Sequence, residues 1–225
     1  MAKVTFKFDK ERDLKNIWKA CNSGEIYGSD FKKSISKPIV DLCKDKEYKE
    51  VKDKLKTYLK KMHSSKITSE IVKSANNSWK IIEREYFKRM DKIMNHKFPS
   101  IRITGYLTMI SMCPYNYNRK TPHFFFNIFS SIPFILRTAG HETMHLYFHY
   151  FYWENIEKEI GKEKTGDLKE ALTVILNQEF KDLWFVYDSG HPNHENLRKF
   201  IQEEWKKKKN FNKLLEKCVN YLKNN

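Results

Sequence analysis

Residues 141–145 read His-Glu-Thr-Met-His, which groups two imidazoles and a carboxylate at a spacing suited to metal chemistry. On a helix, residues four apart share a face, so His141 and His145 can converge on one cation while the backbone stays regular. Neutral imidazole suits Zn²⁺. Glu142 is turned by about 100° around the axis, which sets its carboxylate beside the coordination position left for water. There it would be a base and not a ligand. Zinc lowers the pKa of bound water from about 15.7 toward about 7, and Glu142 accepts the proton as that water attacks a carbonyl. A shuffled chain of this composition would contain H-E-x-x-H about twice in a hundred cases, so the pattern is informative without being decisive.

A catalytic zinc takes a third protein ligand and keeps a fourth position open. His149 continues the same face, but its Cα lies about 12 Å along the axis from that of His141 at 1.5 Å per residue, too far to share an ion. It reads as a core or rim histidine. The elongated metzincin pattern requires Gly at 148 and His at 151, where the chain has Phe148 and Phe151, and is excluded. The downstream carboxylates remain: Glu154, Glu157, Glu159, Glu163, Asp167, Glu170 and Glu179. Glu170 is selected because it opens the apolar run Ala171 to Leu176, where an unpaired carboxylate is expensive to bury and a divalent cation would neutralise it. The competing reading is a capping box in which Asp167 begins the helix and Glu170 reaches back to a backbone N–H. Asn177, seven residues on, shares the face and could orient a ligand, or be a plain polar helix residue.

The elements that must hold these residues can be read from periodicity. Ser36-Lys37-Pro38 opens a helical pattern with later apolar positions Val51, Leu55, Tyr58 and Met62, and a clearer stripe runs Ile71, Ala75, Trp79, Ile82, Tyr86, Met90, Ile93. The first hundred residues are therefore expected to be mostly helix. Strands are expected over 101–110 and 123–129, separated by a loop marked by Pro114, Asn116, Asn118 and Pro122. Ser130, Ser131 and Pro133 start a helix near Phe134 that carries the histidine pair. Gly161 and Gly166 end that region, Asp167 begins a buried helix, 188–192 is a turn, and two amphipathic helices close the chain with stripes Leu197–Trp205 and Phe211–Leu222. The expected class is α+β, with 1–98 a helical region packed on a core formed by 99–225, all in one compact domain.

Composition bounds the alternatives. The chain has 225 residues, 43 Lys plus Arg against 28 Asp plus Glu, and seven Gly and six Pro, so it is a folded protein and neither collagen-like nor low-complexity. The basic excess lies in residues 1–100 (25 basic, 14 acidic) and in the last 25 (7 and 3), while 101–200 is balanced at 11 each. A solvated lysine coat accounts for it, and nucleic-acid binding by the basic N-terminal half is the alternative function. Cys21, Cys43, Cys113 and Cys218 form no CxxC pair and read as free thiols. Neither a membrane span nor a secretion signal is expected, which places the protein in the cytoplasm.

With these residues in view, the chain resembles the zincin metallopeptidases, and among them the gluzincin branch, in which H-E-x-x-H on one helix is completed by a Glu on the next. The resemblance covers roughly residues 100–195. It implies a mainly helical zincin-like domain with a small sheet before the motif helix, one Zn²⁺ per chain held by His141, His145 and Glu170, Glu142 as general base, and a peptide or protein substrate. Thermolysin-like members place an Asp four residues after the Glu to support the first histidine; here that position is Val174. The family presents substrate to an edge strand, expected at His123 to Phe129. It also places a His or Tyr against the developing oxyanion. Tyr187, His191 and His194 are the candidates, and His194 is chosen as the residue at a helix start. Deformylase-like chemistry with Cys113 as a ligand lacks a companion motif.

Overall fold

Four short apolar or alternating stretches pair into one mixed sheet in a computed structural model that describes residues 2–25 and 30–224. They are β1 (Lys3–Phe8), β2 (Arg102–Thr108), β3 (Tyr115–Asn116) and β4 (His123–Asn127), in the order β1-β2-β4-β3. β2 runs parallel to both β1 and β4, while β3 is antiparallel to β4. Helices dominate the rest, so the class is α+β as expected. The N-terminal hundred is mostly helix as expected, with β1 an addition that was not foreseen. Val4 and Phe6 are buried between the exposed Lys3 and Lys7, a period of two that six residues are too short to make conspicuous.

Among the described residues four α-helices lie between β1 and β2: α1 (Lys10–Asn22), α2 (Lys37–Cys43), α3 (Tyr48–His63) and α4 (Lys66–Ile93). α4 buries Ala75, Trp79, Ile82, Tyr86 and Met90, the stripe read from sequence. In α3 the buried face is Val51, Leu55 and Leu59, so Tyr58 and Met62 point to solvent. α4 also closes the outer edge of the sheet. The Asn76 side chain accepts from Phe6 N at 3.0 Å and donates to Phe6 O at 2.9 Å, and Glu83 accepts from Val4 N at 2.7 Å. Backbone groups that an edge strand would leave open are thereby satisfied.

Phe6, Ile103, Leu107, Phe124 and Phe126 point from the sheet into the main core, which they share with α4 and with α5 (Ile132–Phe151). α1 to α3 gather around a second cluster that includes Met109, Ile110 and Met112, immediately after β2. The chain continues through α6 (Trp153–Leu172), α7 (Leu176–Glu179), α8 (Lys181–Trp184), α9 (Glu195–Lys207) and α10 (Phe211–Asn224). α6 is kinked at Gly161, whose φ of 78° lies in the left-handed region that favours glycine. Its second half therefore starts at the kink and not at Asp167. Glu170 sits in the last turn of α6, which removes the capping-box reading. Among the described residues no helix is long and apolar enough to cross a membrane.

α5 is held where it crosses α4 and α8. Tyr86 Oη donates to the Gly140 carbonyl at 2.7 Å, and a Cβ at residue 140 would meet the buried Trp184 ring at 2.6 and 2.8 Å. Gly140→Ala should therefore force the ring to shift and cost about 1–3 kcal/mol. Thermal unfolding should report this as a drop in Tm of a few degrees; an unchanged Tm would show that the contact is not tight.

Candidate metal centre

The local sequence explains why α5 and α6 can bring donors together. Ser131 and Pro133 start α5, and its apolar residues bury it on most sides, leaving the face with His141, Glu142 and His145 turned toward α6. Glu170 arrives from the end of α6. Its Oε2 lies 3.4 Å from His141 Nε2 and 3.1 Å from His145 Nε2, and one ligand atom of each residue falls within 4.8 Å of the others. Donors placed about 2.0–2.1 Å from a tetrahedral centre stand roughly 3.3 Å apart. The two distances to Glu170 match that spacing, so the three side chains could hold a small divalent cation.

The other carboxylate oxygen of Glu170 is taken by Lys169, whose Nζ donates to Oε1 at 2.6 Å. Lys169 also donates to Tyr115 Oη at 2.9 Å, and the same hydroxyl is hydrogen-bonded with His149 Nε2 at 2.7 Å. His149 is thus a rim residue, also stacked on Tyr117 and Trp153. Burial opposes the charge on Glu170, yet His145, His141 and Lys169 hold its carboxyl well below the usual range. Burial pushes His145 down to about 3 and so keeps it neutral.

Asp188, which sequence reading did not single out, supports the first histidine. His141 Nδ1 donates to Asp188 Oδ2 at 2.5 Å, leaving Nε2 for the centre. Burial is the largest influence on His141 and depresses it, but the charge and hydrogen bond of Asp188, the Glu170 hydrogen bond and the Glu142 charge together raise the imidazole to about 10. Asp188 is in turn fixed from several sides. Asn177 accepts from its N–H at 2.7 Å and donates to its carbonyl at 2.8 Å, Gly190 N donates to Oδ1 at 3.1 Å, and Arg198 donates to its carbonyl at 2.5 Å. Gly190 has φ 67°, and a Cβ there would meet the Arg198 guanidinium at 2.6 Å. The carboxylate that meets His141 thus comes from a turn and not from position 174, which is Val174. A sequence signal existed for Arg198, a charge beside Leu197 on the buried face of α9; for Asp188 there was only its place in a turn.

The donors open onto a cleft of about 500 Å³, lined also by Phe31, Met112, Cys113, Tyr115, Arg137 and His191. Glu142 Oε2 is buried in its wall without a hydrogen-bond partner, and burial pushes the carboxyl up to about 7. Cys113 lines the cleft but stands outside the donor cluster, its thiol pushed up to about 12 by burial. His194 does not enter the cleft. Its Nε2 meets Asp167 Oδ1 at 3.0 Å, drawn back onto α6, and it lines a separate hollow with Gly166 and Asp167. His191 is the one of the three candidates that faces the donors; Tyr187 is largely exposed. The expected edge strand is also corrected: β4 lies between β2 and β3, with Phe125 N donating to Pro114 O, so β3 is the edge beside the cleft.

Compared with protein-family models, with curated proteins and with solved structures, the chain matches none. The site is therefore interpreted from its own geometry. For a divalent cation offered to this cluster, with Zn²⁺ as the probe, Asp188→Asn should lower the affinity about 10–100-fold, the range for losing a carboxylate that orients a histidine toward an ion. Competition with a chromophoric chelator measures this, and equal affinity would show that Asp188 does not position His141.

Proposed function

We propose that the protein is a zinc-dependent peptidase of the zincin type with a gluzincin ligand set, His141, His145 and Glu170. The observation that carries this reading is the combination of three convergent donor atoms with a buried, unpartnered Glu142 carboxylate oxygen on the wall of the same cleft. His141, His145 and Glu170 would hold a divalent ion, which when bound would supply Lewis acidity for polarising a carbonyl and acidifying water. Glu142, raised toward neutrality by burial, accepts the proton at Oε2 and passes it to the leaving amine. His191 takes the role assigned from sequence to His194, as a donor to the developing oxyanion. An extended peptide adds to β3, whose Tyr115 lines the cleft, and gains main-chain hydrogen bonds there.

Purified protein should carry about one zinc per chain by elemental analysis, and should cleave an unstructured peptide until a chelator removes the metal. Glu142→Gln should retain the zinc and lose hydrolysis by at least about 100-fold, since proton transfer contributes on that order. Full activity in the substituted protein would refute the proposed base, and absence of zinc would refute the proposed centre.

A further inference from the structure

Three cationic side chains surround the candidate centre, and they differ in how far the protein itself uses them. Lys169 is 5% exposed and spends its ammonium on Glu170 and Tyr115. Arg198 is 6% exposed and spends its guanidinium on the Asp188 carbonyl and carboxylate and on Thr173 Oγ1. Arg137 is different. It projects from α5 one turn before His141 and lines the cleft. Its Nε is buried without a hydrogen-bond partner. Its NH1 reaches Asp188 Oδ2 only at 3.5 Å, the longest polar contact of that carboxylate, which already accepts from His141 at 2.5 Å. The Phe134 ring, 5.4 Å from its Cζ, flanks the guanidinium without supplying an acceptor.

A guanidinium presents a planar fork of donors that matches a carboxylate in two parallel hydrogen bonds. A half-buried guanidinium on the wall of a cleft that holds the candidate reaction centre, its NH1 engaged only by a long contact to Asp188, is a place for an anion from the substrate. We infer that Arg137 forms a carboxylate subsite of the cleft, so that the substrate class is peptides bearing a carboxylate near the scissile bond. This inference rests on the peptidase reading. Two sources share that chemistry, the free C-terminus of a peptide and an acidic side chain.

The test uses the full chain loaded with zinc and two pairs of fluorogenic peptides. One pair differs only in a free or amidated C-terminus, the other only in Glu or Gln next to the scissile bond. Wild type should favour the carboxylate member of one pair by about 10–100-fold in kcat/KM, the scale of a charged hydrogen bond. The pair that responds identifies the source. Arg137→Gln should bring that ratio close to one at unchanged zinc content, and Arg137→Lys should restore part of it, which a purely structural role would not do. A wild-type ratio near one in both pairs, or a ratio that survives Arg137→Gln, overturns the subsite and leaves the peptidase reading standing. Affinities of the same peptides for zinc-loaded Glu142→Gln protein yield the ratio without turnover. Absence of cleavage by wild type therefore counts against the peptidase reading alone, while equal affinities count against the subsite.

Discussion

An ionised carboxylate in the protein interior has to be compensated on every side, and Glu170 sets this requirement for the whole C-terminal half. At 7% exposure it has lost most of its water, a loss that costs several kcal/mol for a bare charge. Two imidazoles meet one of its oxygens and an ammonium meets the other. None of these partners can move independently. His141 and His145 are locked by the buried α5 helix, and Lys169 is tied through Tyr115 to His149 and to the edge of the sheet. The requirement is local in chemistry yet it couples α5, α6 and β3.

Charge compensation is repeated one layer out. Asp188 balances His141, and Arg198 balances Asp188 while also touching the Glu170 carbonyl at 3.4 Å. The alternation of sign from Glu170 outward lets a polar site persist among Leu172, Ile175 and Trp184, which are all buried. It also explains why the turn at 188–190 is built so tightly, with Asn177 bonded to both backbone groups of Asp188 and a glycine where Arg198 passes.

Much of this was legible in the sequence, and the reasons differ by residue. The histidine pair needed only helical spacing, and Glu170 could be chosen because an acid facing an apolar run demands a partner. β2, α4 and the last two helices followed from periodicity, β4 from a short apolar run after a turn-rich loop, and α5 from the helix-start residues Ser130, Ser131 and Pro133. β1 was missed because six residues beside a long helical stretch carry little pattern. Asp188 and Lys169 were missed because their roles depend on contacts across the fold, up to 54 residues apart, that no local spacing reveals. His194 was placed by its position at a helix start, whereas the deciding fact was the nearby Asp167 acceptor, which turns the ring away from the cleft.

The two margins of the sheet are treated unequally, and this has a bearing on how the protein meets other chains. Along β1, Asn76 and Glu83 occupy the hydrogen-bonding groups that a neighbouring molecule would need, so stacking of copies through that margin is blocked. The opposite margin is β3, two residues long, whose Tyr115 lines the cleft that holds the donors. The sheet thus has one margin capped by side chains of α4 and another that stands beside the histidines and Glu170.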